Sequence, residues 1–113
     1  MVKTVLIGSK EVEMAATAAS PHHYRARFKR DALRTFELIN EGKIEQSEGV
    51  ELFIELGYIM ARTAQKADMF HLKEEDYYEW LEGFEYMDLI DASKNIAQVF
   101  FNGKLQLSES KKE

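Results

Sequence analysis

The chain has no cysteine, a single proline and one tryptophan among its 113 residues. Without thiols there can be no disulfide framework and no thiolate metal site, a composition that suits a reducing compartment. No stretch approaches the ~18 consecutive apolar residues that a membrane-spanning helix requires. Residues 1–7 are short and mostly apolar, but Lys10, Glu11 and Glu13 follow at once where an export signal would place its cleavage site. The glycines Gly8, Gly42, Gly49, Gly57, Gly83 and Gly103 are scattered, so none of them forms a phosphate-cradling loop. No Gly-x-Ser-x-Gly elbow occurs.

Metal chemistry is equally thin. His22 and His23 are adjacent and cannot share one helical face, and His71 has no partner at ligand spacing. The acidic run Glu74-Glu75-Asp76 lacks the glycine and distal glutamate of a calcium loop. The sequence therefore predicts a protein without catalytic residues, metal or cofactor, acting by binding.

What is present is an ordinary globular balance, 45% hydrophobic and 31% charged. The net charge of −5 is unevenly spread. Residues 1–40 carry seven Lys/Arg against four acids, a net +3, and residues 41–113 carry eight against sixteen, a net −8. Such a polarity favours head-to-tail association between copies, so a homo-oligomer is expected.

Thr4 to Ile7 is β-branched and apolar, Gly8-Ser9-Lys10 suits a turn, and Glu11 to Ala16 alternates, which predicts a hairpin over 3–16. A lone hairpin is marginal in water, so its apolar side should rest on helices. Ser20-Pro21 marks a helix start, with serine as cap and proline at the first position. That helix is expected over 21–40, carrying Tyr24, Phe28, Ala32, Phe36 and Ile39 on one stripe and His23, Arg27, Arg30 and Arg34 on another.

Further helices are predicted over 47–66, 75–82 and 87–102. The second is the most apolar and should be central, with Gly57 admitting a close neighbour. The chain is thus expected to be α+β and mainly α. A hairpin would pack on about four helices in one domain over 1–107, with a polar, flexible tail over 108–113. The polar residues of the last helix, Asp88, Asp91, Asn95, Gln98 and Asn102, form a narrow stripe. Its apolar surface exceeds what one neighbour covers, so Val99, Phe100 and Phe101 are expected to face a partner, and Leu89, Ile90, Ile96 and Ala97 the core.

The order and spacing of several segments resemble one family, the tail assembly chaperones of long-tailed phages and prophages of Gram-positive bacteria. The segments are Val5 through Met14, Ala15-Ala16-Thr17-Ala18, Tyr24-Arg25-Ala26-Arg27-Phe28, Leu56-Gly57-Tyr58-Ile59-Met60-Ala61 and Tyr78 through Phe84. The resemblance covers residues 1 to about 103. The stretch 67–73 is longer than the family's usual loop before the tryptophan block.

The resemblance implies a protein of the host cytoplasm, absent from the finished virion. It would bind the tape measure protein, keep it soluble and recruit tail tube subunits during morphogenesis. It also implies that a frameshifted, longer form could extend the polar tail. The competing expectation is a small DNA-binding or regulatory protein using Arg27, Arg30 and Arg34 on the basic first helix. Set against it are the acidic whole and the apolar second helix, so neither nucleic acid nor membrane is expected as a partner.

Overall fold

A computed structural model describes residues 2–101. The chain begins with an antiparallel hairpin, β1 (Val2–Ile7) and β2 (Lys10–Ala15), followed by five helices. These are α1 (Ser20–Phe28), α2 (Ala32–Asn40), α3 (Gln46–Ala64), α4 (Glu74–Leu81) and α5 (Tyr86–Phe101). The fold is α+β and mainly α, with the hairpin lying on the bundle, β1 against α5 and β2 against α3. The expected domain limit at 107, the tail over 108–113 and the expected end of the last helix at 102 lie outside the described residues.

The hairpin closes with Gly8-Ser9 between the paired residues Ile7 and Lys10. Gly8 sits at φ +64°, which the first central position of a tight hairpin turn can demand and glycine supplies without steric cost. A side chain there would also collide with the Asp88 carboxylate at the start of α5. Val5, Ile7 and Met14 point from the sheet into the core, so the hairpin gains from α3 and α5 the burial it lacks alone.

One expectation needs correcting. The helix anticipated over 21–40 is two helices, which makes five among the described residues. Lys29 adopts the left-handed conformation at φ 64°, its N–H closing on the Arg25 carbonyl at 2.8 Å. Asp31 then caps α2, its side chain accepting the Arg34 N–H at 3.0 Å. Ser20 does not cap α1 either: Ala19 occupies that position and the Ser20 hydroxyl accepts the Thr17 N–H at 2.9 Å. The apolar stripe survives the break, with Tyr24, Ala32 and Ile39 buried and Phe28 and Phe36 half-buried.

α3 is the axis of the molecule, packed against α1, α2, α5 and β2. Leu52, Leu56, Tyr58, Ile59, Met60 and Ala61 are fully enclosed. Gly57 does admit a close neighbour: a Cβ there would lie 3.0 Å from Ile96 Cδ1 and 3.3 Å from Met14 Cε. Two polar ties fasten α3 to its neighbours. To α1, Glu55 accepts from the Tyr24 hydroxyl at 2.6 Å and from Arg30 at 2.7 Å. To α4, Asp76 accepts from the Tyr58 hydroxyl at 2.6 Å and from Arg62 Nε at 2.7 Å.

The second tie has a pH signature. The Arg62 guanidinium, aided by the Tyr58 hydroxyl, holds the Asp76 carboxyl below the usual carboxylate range. A depressed folded-state pKa contributes stability that is complete above the unfolded value of about 4 and is lost as the pH falls below it. The melting temperature of the protein should therefore fall more steeply below about pH 4 than that of Arg62→Gln. Equal slopes would remove this pair as the cause.

Candidate protein-binding surface

The three arginines expected to form one basic stripe are separated by the break at Lys29. Arg30 turns inward to Glu55, with Glu48 at 3.4 Å as a second acid. Arg27 lies over the Phe28 ring at 4.7 Å and the Tyr77 ring at 5.9 Å, and donates to the Glu74 carbonyl at 2.9 Å. Arg34 is exposed on α2 and pairs with Glu37 one turn on, at 3.2 Å. Two of the three are thus engaged in holding α1 to α3 and α4. His71, which appeared to lack a carboxylate partner, has Asp68 three residues back, at 2.7 Å.

The end of α5 also differs from expectation. Val99, Phe100 and Phe101 are half-buried, and the chain does supply neighbours there. The Phe101 ring lies 4.7 Å from Phe36 of α2 and 6.2 Å from Phe53 of α3. Leu89, Ile96 and Ala97 are buried as anticipated, and Ile90 is half-buried. Val99 borders a surface depression together with the hairpin.

That depression is a groove of about 530 Å³ lined by Lys3, Thr4, Val5 and Leu6 of β1 and by Asn95, Gln98 and Val99 of α5. β1 pairs only with β2, so its other edge is open among the described residues. Backbone groups along an antiparallel strand alternate between the partner and the outside. With Ile7 and Lys10 as the closing pair, alternation directs the N–H and C=O groups of Val2, Thr4 and Leu6 outward. Val2 and Leu6 are also apolar and about half exposed, at 51% and 57%.

An open edge bearing exposed apolar side chains beside a helix is a template for pairing with another chain. The sequence carried a signal for it that was passed over. Val5-Leu6-Ile7 is an unbroken apolar run, and in a strand three consecutive side chains cannot all reach one face. One of them had to project into solvent, and it is Leu6.

More apolar residues are exposed elsewhere: Leu33 on α2, Phe70 in the α3–α4 connection, Tyr78 on α4, and Tyr86 and Met87 at the start of α5. No described helix is long and apolar enough to cross a membrane. The chain matches no protein-family model, no curated protein and no solved structure.

Proposed function

We propose that this protein is an assembly chaperone for a phage tail, which sheathes apolar segments of the tape measure protein and brings tail tube subunits to it. The observation that carries this reading is the groove between the open edge of β1 and α5, with Leu6 and Val99 in its lining. A tape measure protein is long and apolar, and a small partner with a groove of mixed polar and apolar lining beside free backbone groups suits transient shielding. The segment resemblance and the hairpin-on-helices fold support the same reading. Binding of this kind needs no catalytic residue. Copies could line the tape measure side by side as a homo-oligomer in the host cytoplasm, released before the virion is complete.

Coexpression supplies the test. The tape measure protein of the same tail gene cluster should move from the insoluble to the soluble fraction when this chain is present, and the two should copurify. Leu6→Glu, which places a charge on the exposed side of β1, should abolish copurification while leaving the melting temperature within about 2 °C, because surface changes cost within roughly 0.5 kcal/mol. Copurification unaffected by both Leu6→Glu and Val99→Glu would place the binding surface elsewhere. A tape measure protein that stays insoluble with the wild-type chain would overturn the function.

A further inference from the structure

Toward the other end of α5 from the hairpin groove, a smaller crevice of about 150 Å³ opens between α3, α4 and the beginning of α5. Its lining is Ile54 and Glu51 of α3, Tyr77 and Leu81 of α4, Phe84 of the connection, and Tyr86 and Leu89 of α5. Small-molecule pockets run to roughly 300–1,000 Å³, so this one suits a single side-chain head. Ile54 and Leu89 are buried, Tyr77 is nearly so, and Tyr86 is 68% exposed at the mouth.

We propose that this crevice is a recognition site for one basic side chain, Arg or Lys, presented by a protein partner. Three observations select a cation over an apolar anchor. First, Tyr77, Phe84 and Tyr86 all line the space without packing on one another. Tyr77 packs on Phe28 and Tyr58, and Phe84 packs on Trp80. Two of these rings already meet cations of this chain, Phe84 with Lys10 at 5.3 Å and Tyr77 with Arg27 at 5.9 Å, so the lining is of a kind that accepts one.

Second, the one charged group of the lining is an acid, Glu51, and it has no Lys or Arg partner among the described residues. An apolar occupant would desolvate that carboxylate without compensation, whereas a guanidinium could bind it while stacking on a ring. Third, a second acid, Glu55, lies near Tyr77 along with Glu51. Burial first, and then the charges of Glu55 and Glu51, push the Tyr77 phenol above its ordinary range. Arg27 already exploits this, its guanidinium 5.9 Å from the Tyr77 ring.

The site does not depend on the tail reading, and its test needs no tail protein. The full chain is titrated with n-butylguanidinium, which carries the arginine head, and in parallel with its neutral isostere n-butylurea. The methyl resonances of Ile54, Leu81 and Leu89 and the ring resonances of Tyr77, Phe84 and Tyr86 are followed by NMR. The cation should produce saturable shifts at these residues and bind about three- to tenfold more tightly than the urea. Glu51→Gln and Tyr86→Ala change exposed side chains, and each should weaken the cation by about two- to fivefold without altering the urea. Equal binding of the two probes would make the crevice an apolar anchor point and overturn the proposal. Shifts that never saturate, or that map to other acidic surfaces, would overturn it too.

Discussion

Ile96→Ala should cost about 3–4 kcal/mol, in the middle of the roughly 2–5 kcal/mol seen for Ile truncations, and should lower the melting temperature by on the order of 15–25 °C. Ile96 is fully buried on α5, and its Cδ1 and Cγ2 fill the space where Gly57 has no side chain. The surroundings cannot collapse into the vacancy, because the opposing wall is the backbone of α3. The tip of Met14 is the other side-chain atom closest to that space.

A second substitution makes the claim sharper. Gly57→Ala should gain little in the wild-type chain, since its Cβ would crowd Ile96 at 3.0 Å. In the Ile96→Ala background the space is free, and the helix-propensity gain of about 1 kcal/mol should appear. Equal effects in both backgrounds would show that close approach does not govern this position. Phe101→Ser, by contrast, removes a half-buried ring stacked against Phe36 and Phe53, and should cost about 1–2 kcal/mol.

The fold was legible where local chemistry and periodicity agreed. The hairpin falls within a residue of its expected limits because a β-branched run, a glycine turn and an alternating run stand in succession. α3 was legible as the central helix from its apolar breadth, and Gly57 as a point of close approach. The break between α1 and α2 was missed because Lys29 is not a residue that announces a left-handed conformation, and the apolar stripe continues across it in phase. Asp31 was the available sign. An aspartate three residues before Arg34, followed by Ala-Leu-Arg-Thr-Phe, is a helix start as good as Ser20-Pro21.

The binding surface was less legible, for a tertiary reason. The width of an apolar stripe tells how much surface a helix must cover, not which element covers it. Phe101 was expected to face a partner because the apolar surface of its helix exceeds what one neighbour covers, yet α2, nearer the N-terminus, packs against it. In the same way Arg30 looked like a surface cation until α3 brought Glu55 beneath it. Ion pairs and grooves that join residues far apart in sequence leave no periodic trace.

The Glu55 tie should carry the second large effect. The Glu55 side chain is 13% exposed and its Oε1 serves both the fully buried Tyr24 hydroxyl and Arg30. Glu55→Ala leaves that hydroxyl without an acceptor and the guanidinium with only the more distant Glu48, which should cost about 2–3 kcal/mol. Tyr24→Phe removes the donor while Arg30 still satisfies the acid, so about 0.5–1 kcal/mol is expected. The double variant should be more stable than the sum of the two losses implies, because no hydroxyl remains to be orphaned.

The same contact sets an alkaline limit. Burial first, and then the bond to Glu55, raise the Tyr24 phenol far above its ordinary range. A raised folded-state pKa contributes stability that is complete below the unfolded value of about 10 and is lost as the pH rises past it. Denaturant midpoints measured from about pH 8 to 11 should therefore decline above about pH 10 in the wild type and less steeply in Tyr24→Phe, with Tyr58 and Tyr77 supplying the remaining slope. Parallel declines, together with strictly additive losses in the double variant, would mean that Tyr24 and Glu55 are neighbours without being coupled.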